Sequence, residues 1–207
     1  MTPVSVKICG LTRAGDVRDA VAAGARLLGF VFASSPRRLE PEQAAALMSA
    51  VPPDIRCVGL FLNQPRADVM RVLRIAELDL LQFHGDEDNA FCGSFGLPFV
   101  KAIAMGQEAP VSVPGRAYPD ASALLFDSHA PGSPGGTGRV FDWKTLRPTA
   151  REVWLAGGLT PENVGQAIRE VRPQVVDVSS GVEQAPGIKD PERMRAFIAA
   201  ARAVNLE

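Results

Sequence analysis

Short apolar runs recur along this chain, each followed by a segment in which apolar and charged residues mix at helical spacing. Eight such runs predict strands, at residues 4–10, 27–32, 56–63, 80–85, 99–105, 123–129, 153–159 and 175–181. They are nearly continuous in Val, Leu, Ile and Phe, the pattern of strands buried on both faces of a parallel sheet. The segments between them carry helix signals. "RAGDVRDAVAAGA" sets Val17, Ala20, Val21 and Ala25 on one stripe behind Thr12, a candidate cap. "PRADVMRVLRIAE" repeats Val69, Val72 and Leu73 at three-to-four spacing. Pro41, Pro161 and Pro191 each stand where a first helical residue is expected, the last two behind Thr160 and Asp190 as caps. Residues 106–120 are rich in Pro and Gly, so the fifth helix is predicted to be short or irregular.

Eight strand–helix units in 207 residues predict one small (β/α)₈ barrel, a TIM barrel occupying residues 1–207 as a single domain. A doubly wound open sheet also alternates strands and helices. With eight strands it would be wide for this length, and no GxGxxG follows the first strand. No low-complexity linker divides the chain.

Composition narrows the function classes. Twenty-two basic residues offset 23 acidic ones for a net charge of −1, so no basic face points to nucleic acid. One Tyr and two Trp also argue against a base-stacking platform. No run approaches the ~20 apolar residues of a membrane span, and no signal-peptide pattern opens the chain. A soluble, cytoplasmic protein is the expectation, and the sequence leaves monomer or homodimer open. The three Cys form no CxxC pair and only two His occur, so neither a metal site nor a disulfide framework is expected.

In such barrels chemistry collects where strands run out into loops. Cys9 closes the first predicted strand, in "VKICGLT". Most free Cys are small buried hydrophobes, but a thiol facing the barrel mouth can act as a base if its surroundings favour the thiolate. Asp127, in "LLFDSHA", ends the sixth run. It could simply order a loop; partly desolvated, its carboxyl would titrate upward and could deliver a proton. A base and an acid across one pocket suit an isomerase better than a hydrolase. Three glycine-rich stretches follow: "PGGTG" with Gly136 and Thr137, "AGGLTPENV" with Gly157 and Gly158, and "DVSSGVE" with Ser179, Ser180 and Gly181. Glycine lets backbone approach a ligand closely, and the loops after strands seven and eight of this barrel recurrently hold phosphate. Arg37 and Arg38 lie in a Pro-stiffened loop, where a fixed guanidinium would match a planar carboxylate. His84 could carry a proton or merely pack. The direction of Lys7 and Lys101, both within strands, stays open at this point.

Taken in order, "KICGLT", "GFVF…SPR", "LQFHG", "LLFDS", "GGTG…FDW", "AGGLTPENV" and "DVSSGVE" resemble the motifs of the phosphoribosylanthranilate isomerase family, over residues 7–190. The resemblance implies the Amadori rearrangement of N-(5-phosphoribosyl)anthranilate in tryptophan biosynthesis, without cofactor. It further implies Cys9 as general base and Asp127 as general acid, with Arg37 on the anthranilate carboxylate. Gly157, Gly158, Ser179, Ser180 and Gly181 would hold the phosphate, and Asp177 would lie beside the sugar in support. Arg38 stands where an aromatic residue is expected. In the histidine-pathway aminoaldose isomerases an Asp occupies the position of Cys9, so the thiol separates the two families.

Overall fold

A computed structural model describes residues 4–106, 117–128, 141–146, 149 and 151–204. Eight parallel strands close into a barrel in chain order: β1 (Ser5–Cys9), β2 (Leu27–Val31), β3 (Arg56–Phe61), β4 (Leu80–Phe83), β5 (Phe99–Ala104), β6 (Ala123–Asp127), β7 (Glu152–Leu155) and β8 (Val175–Val178). The register joins β8 back to β1, pairing Lys7 with Asp177. Around the barrel lie α1 (Ala14–Ala23), α2 (Pro41–Met48), α3 (Arg66–Ile75), the short α4 (Asn89–Gly93), α5 (Val164–Val171) and α6 (Pro191–Arg202). A two-stranded antiparallel hairpin, β9 (Glu183–Ala185) and β10 (Ile188–Lys189), follows β8.

Alternation along each strand sorts the side chains. Leu27, Val58, Leu80, Val100, Leu125, Trp154 and Val175 fill the lower barrel interior. The outward residues, among them Ile8, Phe30, Leu81, Leu124 and Val176, join the core beneath the helices. Each helix contributes a buried stripe: Val164, Ala167 and Ile168 on α5, and Met194, Phe197, Ile198 and Ala201 on α6. Because both faces of the strands are covered, the polar side chains found inside the barrel stand out. They sit near its upper end.

Every predicted strand ran on past the observed one. The residues at the mouth are small or polar and leave the ladder to form loops. β7 stops at Leu155 because Gly157 and Gly158 take left-handed backbone, with φ of +85° and +65°. β8 stops at Val178, and the chain turns into a short 3₁₀ segment at Ser180–Val182. Two expected caps also fall elsewhere. Arg13 precedes α1, while the Thr12 hydroxyl donates to the Gly187 carbonyl at 2.5 Å and ties β1's exit to the β9–β10 turn. Asn163 precedes α5, its side chain accepting from Thr160 N at 2.8 Å and donating to the Gly158 carbonyl at 2.9 Å. Asn163 satisfies the loop itself, so the helix starts later than Pro161. The other two signals hold: Pro41 opens α2 behind a Glu40–Gln43 capping box, and Asp190 caps α6. Most of the segment expected to hold the irregular fifth helix, residues 107–116, lies outside the described residues.

Candidate active site

The top of the barrel is an open cleft of about 790 Å³, part of it continuous with solvent. Residue by residue, it is built from strand ends. On β1, Lys7 and Cys9 are two positions apart, so both face inward. Gly29 on β2 sits beside Cys9 in the register. A Cβ there would fall 2.8 Å from the Cys9 Sγ and 3.0 Å from the Lys7 Nζ. Only glycine leaves room for both heads, and that shared space places the ammonium next to the thiol.

Lys7 is fully buried and donates to the Asp177 Oδ2 at 2.9 Å. Burial works against its charge, but the adjacent Asp177 carboxylate prevails and holds Lys7 above its ordinary pKa. Burial pushes the Asp177 carboxyl up, against the pull of Lys7; the neighbouring Asp127 charge adds to the rise. The second carboxylate oxygen, Asp177 Oδ1, is buried with no hydrogen-bond partner among the described residues. Such an acceptor is costly to leave unsatisfied, and it lines the cleft. Burial likewise raises the Cys9 thiol above its ordinary value; Lys7 and Lys189 pull it down, while Asp177 pushes it up.

Asp127 closes β6 and lines the same cleft as Cys9. It is buried, with 7% of its surface exposed. Arg37, in the loop after β2, forms the wall near Cys9. Gly10 leaves β1 at φ +76°, and a Cβ on it would lie 2.4 Å from the Arg37 Cδ. The loops after β7 and β8, the latter strand being β1's neighbour, supply Gly157, Gly158, Ser179, Ser180 and Gly181 to the cleft. Close packing beneath them is steric: a Cβ on Gly157 would sit 2.3 Å from the Ser128 Oγ, and one on Gly181 2.0 Å from the Leu159 carbonyl oxygen.

Thus Cys9, Arg37, Asp127, Gly157, Gly158, Asp177, Ser179, Ser180 and Gly181 converge on one cleft. Gly136, Thr137 and the rest of the "PGGTG" stretch lie outside the described residues. His84 also lines the cleft, in contact with Gln82. Arg38 does not: its side chain is 55% exposed and pairs with Glu40 at 3.0 Å, so the residue in place of an expected aromatic is a surface group. Lys101 faces away from the barrel interior, donating to the Phe83 carbonyl at 3.3 Å and lying 3.5 Å from Glu87. It braces the loop after β4.

Sequence reading left one charged residue unplaced here and missed two. Lys7 could not be oriented until its register opposite Asp177 was known. Glu183 and Lys189 flank the hairpin turn; Glu183 closes the "DVSSGVE" motif, the one signal that could have drawn attention to it. Among the described residues no group of His, Cys, Asp and Glu is arranged to hold a metal ion, and no helix is long and apolar enough to cross a membrane.

The chain has known relatives. The family described as N-(5'-phosphoribosyl)anthranilate isomerase matches residues 6–200. This chain belongs to that family. It is similar to the N-(5'-phosphoribosyl)anthranilate isomerase of Pseudomonas fluorescens, at 47% identity over 99% of each chain. Among solved structures, the phosphoribosyl anthranilate isomerase of Thermus thermophilus superimposes with a TM-score of 0.87 at 39% identity, covering 98% of this chain and 100% of that one. Another isomerase of the family, solved in complex with reduced 1-(o-carboxyphenylamino)-1-deoxyribulose 5-phosphate, gives 0.77 at 34% identity over 96% and 98% of the two chains.

Proposed function

We propose that this chain rearranges N-(5'-phosphoribosyl)anthranilate to 1-(2-carboxyphenylamino)-1-deoxyribulose 5-phosphate, with Cys9 as base and Asp127 as acid. The observation that carries the assignment of roles is the placement of a thiol and a carboxyl, from β1 and β6, on one cleft. Asp127 protonates the furanose ring oxygen, and the C1'–O bond opens to an iminium on the anthranilate nitrogen. That cation acidifies the C2' proton, which the Cys9 thiolate removes, leaving an enolamine. Reprotonation and ketone formation complete the rearrangement. The substrate's own nitrogen is the electron sink, so this route draws on neither metal nor organic cofactor.

Lys7 supports the base. Its ammonium stabilises the Cys9 thiolate through space, and Asp177 fixes the ammonium there while its Oδ1, without a hydrogen-bond partner among the described residues, offers an acceptor to a sugar hydroxyl. The half-buried backbone of the β7 and β8 loops at the cleft suits a phosphate, and Arg37 suits the anthranilate carboxylate. Gripping both ends holds the C2' proton against the sulfur, which is catalysis by positioning. The test is to add the purified protein to freshly generated phosphoribosylanthranilate and follow its fluorescence. Enzyme-dependent loss, with formation of the ribulose product, is expected; an unchanged signal would refute the reading.

A further inference from the structure

Arg37 does not stand alone in the wall of the cleft. Its Nε donates to the Glu183 Oε1 at 2.8 Å and its Nη2 to the Oε2 at 2.6 Å. Glu183 is itself fixed from three sides. Lys189 Nζ, fully buried, donates to Oε1 at 2.7 Å, the Gly187 amide reaches the same oxygen at 3.3 Å, and the Arg193 guanidinium holds the Glu183 carbonyl at 2.8 Å. Lys189 is anchored in turn by the Ser179 carbonyl at 3.1 Å. Burial would raise the Glu183 carboxyl, but the hydrogen bond from Arg37 and the charge of Lys189 prevail and keep it below its ordinary range.

The geometry of the fork is informative. Guanidinium has five N–H donors. Glu183 takes the Nε/Nη2 edge, and three N–H groups remain, including the parallel pair along the Nη1/Nη2 end. A planar carboxylate fits that end edge in a second bidentate contact. A free Arg side chain would have to give up rotamer freedom to present it; here the ordering is already built in.

We infer that Glu183 is a positioning and specificity-determining residue: it locks Arg37 side-on so that its end edge selects a carboxylated aromatic amine. This rests on the assignment of Arg37 to the substrate carboxylate and extends it to a residue that does not touch substrate. The test uses two ligands, reduced 1-(o-carboxyphenylamino)-1-deoxyribulose 5-phosphate and the same compound lacking the carboxyl group. In Glu183→Gln, affinity for the carboxylated ligand falls at least ~10-fold while that for the other changes less than about twofold. In turnover, KM rises and kcat holds. A general loss of structure would weaken both ligands alike. Equal or tighter binding of the carboxylated ligand would overturn the inference, since Glu183 would then be a competitor for Arg37 rather than its guide. If Glu183→Gln does not fold, Glu183→Gln combined with Lys189→Met removes the second stranded cation and carries the same comparison. Arg37→Gln separates the two readings. If it leaves the ratio of the two affinities unchanged, Arg37 does not read the carboxylate at all. If it collapses the ratio while Glu183→Gln does not, only the positioning role fails.

Discussion

At the scale of single residues, the site is a set of charges arranged around a thiol. Burial holds the Cys9 thiol above its ordinary value, and Lys7 offsets part of that rise. The thiolate is the form that Lys7 favours, so Lys7→Met is expected to move the thiol still higher. The pH profile of Cys9 alkylation by iodoacetamide, read in a Cys57→Ala/Cys92→Ala background, should shift to higher pH in the Lys7 variant. An unshifted profile would remove Lys7 from the mechanism. The two background cysteines are suitable to delete because both are buried away from the cleft, with thiols pushed up to about 12. The positions of Cys9 and Asp127 at the cleft were legible in the sequence because each ends an apolar run that reads as a buried strand. Lys7 was not, since facing inward or outward depends on a one-residue register that apolar runs on both faces do not encode. Arg37 was legible as a residue but not as half of a pair, because its partner lies 146 positions away.

At the scale of elements, β1 and the hairpin after β8 work together. Thr12, in the loop after β1, ties that strand's exit to the hairpin, and the Lys189 amide donates to Asp16 on α1 at 3.0 Å. Glu183 holds its charge more strongly when folded than in the open chain. Its contribution to stability is therefore full above the ordinary glutamate range and lost as pH falls through its lowered value. Melting temperature should drop more steeply between neutral pH and the acid range in the parent protein than in Glu183→Gln. Helix α6, which packs on α1 and β1, is started by Asp190 accepting from Glu192 N at 2.9 Å and Arg193 N at 3.1 Å. Asp190→Ala should cost about 1 kcal/mol in urea unfolding without altering turnover. Strand order and helix faces were readable from periodicity. Strand ends were not, since a small or polar residue after an apolar run can close the strand or open the loop, and periodicity does not say which.

At the scale of the whole molecule, a closed barrel is what brings distant parts of the chain to one point. Most strands contribute inward groups at the upper end, and the apolar layer below, from Leu27 to Val175, gives them a floor. The account stands on Cys9 and Asp127 acting on one bound sugar from two sides. The most direct measurement is kcat of Cys9→Ala and Asp127→Asn, with the affinity of each for the reduced product analogue taken in parallel. Each variant should lose at least ~100-fold in kcat and keep the analogue affinity within about threefold. Turnover near that of the parent protein in either variant would contradict it.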